Sequence, residues 1–420
     1  MRATALFVAL AATAANAAYP KDIVQYWVDQ SALFVNGSII GGIQSPPSAW
    51  FPAVVHGAIY TAALEAKGES LSFQQLAVSH AAHDALSWTF QGTRLYNSID
   101  AALRNILPDI GIAQSSKEYR QATSIGRRAA ATVAEKRAGD RLANFVDYVY
   151  GPAEPGVYQR TPGGNPLPDT PQAAYLRPFG GIGDISKYRA PPPPNATGKD
   201  YEKWVAEVKD VGSLNSTSRS EYDTDTAYFW RESSVTGWNR LANAIIGDSL
   251  SKDVVASARF YAQFSYALAN AAIAAWDSKY YHNHWRPVTA IQRPGIWLAS
   301  GKDISDPNWT PLLRPTPSHP DYVSTHSTFG GAAAEVLRAY VGGDKINASL
   351  SSNVTLDNRG VITRRYTNLT EAALENSRSR VLGGVPPKIH FTYAGSAGIE
   401  LGSAVAKATL NKFGRHWDEY

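Results

Sequence analysis

The 420-residue sequence contains no cysteine, and its one methionine is Met1. No disulfide can brace the fold, and none is needed, because a chain of about 400 residues buries enough apolar surface unaided. A protein processed beyond Met1 would carry neither thiol nor thioether, the two side-chain groups most readily oxidised. Compositional drift accounts for this as well as selection for life beside a strong oxidant does. The 11 Trp and 22 Tyr, which such oxidants also attack, speak against selection. Charge of one sign is lacking too. The 40 Lys and Arg against 36 Asp and Glu leave a net +4, too little in a chain of this size to argue for a nucleic-acid partner. Long apolar runs are missing: none reaches the roughly 18 uninterrupted residues of a membrane span. There is no repeat of fixed period and no linker long enough to divide the chain.

The first residues read as a secretory signal. Arg2 supplies the positive start, Leu6-Phe7-Val8-Ala9-Leu10 the apolar stretch, and Ala15-Asn16-Ala17 a small-residue cleavage site. The division expected is a signal peptide over 1–17 and a single helical domain over 18–420, exported from the cell. Asn-x-Ser/Thr sequons at Asn36, Asn195, Asn215, Asn308, Asn347, Asn353 and Asn368 fit a glycosylated surface.

Apolar spacing of three and four residues predicts helices over roughly 49–66, 71–107, 115–147, 222–248, 251–278, 326–341 and 393–413. Phe260, Phe264, Ala267, Leu268, Ala271, Ala274 and Ala275 keep that spacing with apolar residues between most of them, which predicts a helix buried on most sides. Alternating strand patterns are scarce. The fold class is all-α: helical bundles joined by long Pro/Gly-rich loops. The longest, residues 151–195, is too long for an ordinary loop. Its Tyr158, Tyr175, Leu176 and Phe179 predict that it packs over the bundle.

Three polar clusters carry the candidate chemistry. The first, Asp277 to Pro287, holds Lys279 and Arg286 seven residues apart, two helical turns, so that both can face one side. Pro287 disfavours helix at Arg286. The second runs from Pro317 to Ser327 and leads into Ala332-Ala333-Ala334. Ser324 or Thr325 is a natural N-cap there, and the free N–H groups of a helix start suit an anion. His326 stands at that mouth, able to exchange protons with a ligand. The third, Ser377 to Phe391, offers Arg380 and, after a Gly/Pro loop, His390. Each cluster alone is equally a capped helix end with solvated cations or a structural histidine. Together they supply three cations, neutral donors and two imidazoles, the equipment for a pentacoordinate oxyanion with equatorial oxygens neutralised and a histidine at each apex.

Lys279-x6-Arg286-Pro287, Ser324-x-His326 and Arg380…His390 resemble the three-block signature of the vanadium-dependent haloperoxidases. Type-2 phosphatidic acid phosphatases and bacterial acid phosphatases share that signature. Asp277-x-Lys279-Tyr280, Trp285 through Ile291, Arg231-Glu232 after Phe229-Trp230, and Trp238-Asn239-Arg240 look like the soluble haloperoxidase-like branch. The resemblance implies a pair of helical bundles in one globular unit. Lys279, Arg286, Ser324, the Thr325 backbone N–H and Arg380 would bind the oxygens of vanadate, or of phosphate in the same place. His326 would be the acid–base residue and His390 the axial vanadium ligand. Vanadium(V) would polarise peroxide for attack by halide. Trp276 and His319 match the family's halide site, with His319 leaning towards bromide or iodide. The implied partners are hydrogen peroxide, halide and a small organic acceptor; a homodimer is left open.

The chain departs from the family in three places. Val323-Ser324-Thr325-His326 stands for Pro-Ser-Gly-His, which adds a Thr side chain where backbone approaches the anion. Nine residues instead of five separate Arg380 from His390, an insertion of about four around Val385-Pro386-Pro387-Lys388. Ala394 replaces the Asp that, in the phosphatases, orients the nucleophilic His. The alternatives are a secreted acid phosphatase with His390 as nucleophile and a catalytically degenerate relative. Zinc at His80-x2-His83-Asp84 with His282-x-His284 is a further one, although those spacings match no zinc enzyme and packing histidines are expected.

Overall fold

The protein's structure, a computed structural model, describes residues 22–38, 45–140, 142, 144, 146–352, 359–380 and 389–420. The expected signal peptide over 1–17, the sequon at Asn353 and the insertion around Val385-Pro386-Pro387-Lys388 lie outside them.

Amphipathic and fully apolar stretches form thirteen α-helices among the described residues. The first five are α1 (Ile23–Gly37), α2 (Ser45–Glu65), α3 (Leu71–Thr89), α4 (Tyr96–Ile110) and α5 (Lys117–Arg137). After a long loop come α6 (Tyr201–Val211), α7 (Glu221–Phe229), α8 (Ser234–Ile246), α9 (Val254–His282) and α10 (Pro287–Gln292). The last three are α11 (Thr325–Val341), α12 (Leu369–Arg378) and α13 (Thr392–His416). Between α11 and α12 sits an antiparallel hairpin of β1 (Lys345–Ser351) and β2 (Thr363–Asn368), pairing Ala348 with Tyr366 and Leu350 with Arg364. Ala348, Leu350 and Tyr366 are its buried side chains.

The differences from the expected elements have local causes. The stretch 71–107 is two helices, because the chain turns at Gly92 with φ at 74°. The stretch 222–248 also divides, at Trp230 to Ser233. Helix α5 stops at Arg137, whose buried guanidinium donates to the Asp140 carboxylate and to the Arg177 carbonyl, both at 2.7 Å. The loop over 151–195 does pack on the bundle through Tyr158, Leu176 and Phe179, but Tyr175 is 79% exposed and takes no part.

Helix α9 is the spine. Asp253 caps its start by accepting from Ala256 N–H, and 21 of its 29 residues are buried. It packs against α2, α11 and α13. Helices α11 and α13 cross so closely that side chains would not fit between them. A Cβ on Gly402 would lie 1.9 Å from the Thr328 carbonyl oxygen, and one on Gly331 would lie 2.2 Å from that of Ile399. This contact draws the start of α11, with Ser324 and His326, against the start of α13, where the Ser324 N–H donates to the Ala394 carbonyl at 2.8 Å.

Gly402→Ala should therefore cost about 1–3 kcal/mol of stability, since backbone has to move to admit the methyl group. Gly414→Ala, on the same helix with open space at its Cβ, should be neutral or stabilising. Urea unfolding of both variants tests this; equal effects would reject the close-packed crossing.

Candidate active site

The end of α9 brings in the first two cations. Asn283 takes a left-handed conformation (φ 47°, ψ 44°) and ends the helix, so Lys279 and Arg286 do not share a helix face as their spacing suggested. Arg286 lies beyond, extended (φ −85°, ψ 152°) ahead of Pro287. The two nonetheless turn inward together, and both are fully buried. Lys279 Nζ donates to the carbonyls of Pro320 (2.8 Å) and Asp321 (3.0 Å), leaving a third N–H. Arg286 donates to the carbonyls of His319 (2.8 Å) and Ile389 (2.9 Å), and its NH1 lies 3.2 Å from His390 Nε2. Burial pulls the Lys279 ammonium well below its ordinary pKa, the Arg286 charge adds to this, and Asp321 opposes it.

The second and third blocks close the site. Arg380, just after α12, donates to the Trp230 carbonyl (2.8 Å) and approaches His326 Nε2 at 2.9 Å. Burial, with neighbouring Arg231 adding to it, lowers its pKa to about 9. Ser324 occupies the N-cap position of α11, yet its hydroxyl does not cap the helix. The buried Ser324 Oγ and Thr325 Oγ1 have no hydrogen-bond partner among the described residues. Two orphaned buried hydroxyls beside three desolvated cations fit an anion with several acceptor oxygens.

Both histidines present the same face to that site. Arg380 donates to Nε2 of His326, which leaves the ring proton to Nδ1, and the main-chain carbonyls of Trp230 and Glu232 lie near the ring. His390 has Nε2 beside Arg286 and Nδ1 2.8 Å from the Asp321 carboxylate, close enough for charge pairing though off the line of a hydrogen bond. Burial first, then the surrounding cations, holds each imidazole well below its ordinary pKa, which favours the neutral ring with an arginine at each Nε2. Asp321 is wholly buried, and desolvation raises its pKa to about 7 against the pull of Arg286 and Lys279.

A cavity of about 190 Å³ opens here, lined by His319, Thr325, His326, Arg380 and His390 among others. Of the expected site residues, Lys279, Arg286, Ser324 and Trp276 do not line it. Arg286 reaches it through His319 and His390; Trp276 packs against His319 with the rings tilted by 46° and their centroids 4.8 Å apart. A wider groove of about 790 Å³ lies elsewhere, between Tyr60, Arg259 and Tyr340, with no imidazole in it. The zinc reading loses its ligands: His83 has both ring nitrogens engaged, by Asp84 (2.7 Å) and Asp100 (2.8 Å). No group of three or more His, Asp or Glu suits a metal ion among the described residues.

Residues 259–419 match the family described as the VCPO second helical-bundle domain. Vanadium chloroperoxidase of Curvularia inaequalis is 28% identical over 153 residues, 31% of this chain and only 25% of that protein. A solved structure described as the first bacterial vanadium-dependent iodoperoxidase superposes with a TM-score of 0.73 at 24% identity, covering 92% of this chain and 96% of its own. A holo-type bacterial vanadium-dependent chloroperoxidase gives 0.70 at 18% identity, covering 89% and 93%. Residues 259–419 thus match the second helical-bundle domain of that family, and nearly the whole chain shares the fold of these vanadium-dependent haloperoxidases.

Two carboxyl groups at this site belong to none of the three sequence blocks' candidate residues. Asp321, five residues before His326 in the second block, places its carboxylate 2.8 Å from His390 Nδ1, whereas position 394 is Ala394. Asp169, from the long loop, also lines the cavity. Its carbonyl accepts from Trp276 and Tyr280, and burial raises its carboxyl pKa to about 6. Neither position carries a local signal, since both are single Asp residues in proline-rich loops.

The folded chain holds the Asp169 proton more tightly than the unfolded chain does. The stability tied to that proton is complete below the ordinary carboxylate pKa and is lost as pH rises through about 6. Asp169→Asn should therefore gain on the parent protein as pH rises, by up to about 3 kcal/mol above pH 7. Thermal unfolding of both proteins across pH 4 to 8 measures it; a pH-independent offset would contradict the burial assigned to this carboxyl.

Proposed function

We propose that the chain is a vanadate-dependent haloperoxidase that oxidises halide, bromide or iodide before chloride, with hydrogen peroxide. The observation that carries this reading is the pairing of orphaned Ser324 and Thr325 hydroxyls with buried Lys279, Arg286 and Arg380 around two neutral imidazoles. Lys279, Arg286, Arg380, Ser324 and the Thr325 N–H would hold the oxygens of vanadate, and His390 Nε2 would face its metal. Bound vanadium(V) supplies Lewis acidity towards peroxide. His326, neutral and with Nε2 directed inward, takes and returns the peroxide proton. Trp276 and His319 form the wall proposed for halide. The bromide and iodide preference rests on His319 and agrees with the iodoperoxidase named among the structural relatives.

A phosphatase reading has one specific observation behind it. The Asp321 carboxylate beside His390 Nδ1 supplies the orienting group whose expected position holds Ala394. Phosphate fits the same donors, with His390 as nucleophile and His326 as leaving-group acid.

Residues 18–420 are read as one unit, supported by an apolar cluster running from Ile23 to Tyr420. Export and N-glycosylation are inferred from the N-terminal sequence and from the exposed sequons at Asn36, Asn195, Asn215, Asn308 and Asn347. Among the described residues no helix is long and apolar enough to cross a membrane.

Loading the purified protein with orthovanadate separates the two chemistries: bromide or iodide oxidation should appear while hydrolysis of p-nitrophenyl phosphate disappears. His390→Ala should reduce vanadate-dependent oxidation to background with helical circular dichroism intact. Retained oxidation in that variant would reject the ligand assignment.

A further inference from the structure

Two guanidinium groups stand at the oxyanion cavity that the three-block signature does not use. Arg231 follows α7 and Arg314 lies in the loop ahead of the second block; both line the cavity, and both side chains are exposed. Neither has a hydrogen bond or ion pair to its side chain among the described residues. Glu232, next to Arg231, is taken by Arg240 at 2.7 Å. Arg231 instead sits where its charge works against that of Arg380. Like charges placed together without a carboxylate raise the energy of the folded state, and an anion between them lowers it. Among the described residues the one carboxylate lining the cavity, Asp169, faces Arg286 and the aromatic wall of Trp276 and Tyr280. Beside the two arginines the lining is apolar: Leu313, Pro315, Pro317 and Ile389.

We propose that Arg231 and Arg314 form an outer anion subsite that holds the carboxylate of an organic acid, whose hydrocarbon part rests on Leu313, Pro315, Pro317 and Ile389. The inference rests on the haloperoxidase reading and names the acceptor class for that site. The inner cations are desolvated and serve the tetrahedral oxyanion. The outer pair is wet, and guanidinium forks match a carboxylate in two-point contact. An aromatic acid held there lies in the path of hypohalous acid leaving the centre. In the transfer the carbon–halogen bond forms, the halogen–oxygen bond breaks, and the displaced ring proton leaves with the hydroxyl as water.

The probes are 4-hydroxybenzoate and its methyl ester, which differ by the charge. With vanadate-loaded protein and bromide, kcat/KM is measured for both in the parent, in Arg231→Gln, in Arg314→Gln and in the double variant. The preference for acid over ester should fall about tenfold in the double variant, the loss expected for charge-assisted bonds in a solvated setting. In the parent, KM for the acid should rise with ionic strength, and this dependence should flatten in the double variant. Binding of 4-hydroxybenzoate to vanadate-loaded protein by ligand-observed NMR keeps the test independent of turnover. Binding lost in the double variant supports the subsite even if no halide is oxidised, an outcome that would overturn only the haloperoxidase reading. An unchanged acid-to-ester ratio with unchanged binding overturns the subsite. So does a double variant that loses affinity for vanadate, measured by 51V NMR, since the arginines would then belong to the inner anion.

Discussion

Positive charge buried away from water is the condition around which this protein is organised. Moving an ammonium or guanidinium group out of solvent costs several kcal/mol unless dipoles or counter-charges replace the water. Lys279, Arg286 and Arg380 meet that cost chiefly with main-chain carbonyls: those of Pro320, Asp321, His319, Ile389 and Trp230 all accept from them. The nearby carboxylate, Asp321, opposes the depression of both Lys279 and Arg286 but is itself pushed towards neutrality by burial. The cations are thus positioned without being neutralised, the electrostatic state in which a multiply charged oxyanion gains most from binding.

That state depends on helix packing some distance from the polar groups. The glycine contact between α11 and α13 fixes how near the second and third blocks approach. The turn at Asn283 then aims Arg286 between them. His319 and His390 meet the same guanidinium although they are far apart in the chain. The loop over 151–195 roofs the assembly with Asp169 and Tyr158, which is why a proline-rich stretch of that length is packed rather than free.

The histidine chemistry follows from the same burial. Neutral imidazoles with Nε2 turned towards arginines are good acceptors and good ligands, and those properties serve halide oxidation and phosphoryl transfer alike. Asp321 beside His390 Nδ1 makes the resemblance between the two chemistries closer than the residue at position 394 alone would indicate. On the proposed reading, the bound anion and the reach of a second substrate past Arg231 and Arg314 would distinguish them.

Much of this was legible in the linear order of residues. Three- and four-residue apolar spacing marks the long helices, because a helix buries a stripe at its own period. The buried α9 is legible because its apolar residues run all the way round. The nine candidate residues stand in short motifs, and the structure sets five of them, His319, Thr325, His326, Arg380 and His390, on one cavity, with Lys279, Arg286, Ser324 and Trp276 behind its lining. Three features depended on the tertiary structure. A carboxylate comes to lie 2.8 Å from a histidine 69 positions later, two hydroxyls at a helix start are left without partners among the described residues, and two exposed arginines at the cavity have no ion pair among them. Local sequence sets what a segment can become, because capping, period and backbone sterics act over a few residues. Which side chains lose water together is decided when distant segments pack, and the electrostatics of the site arise from that loss.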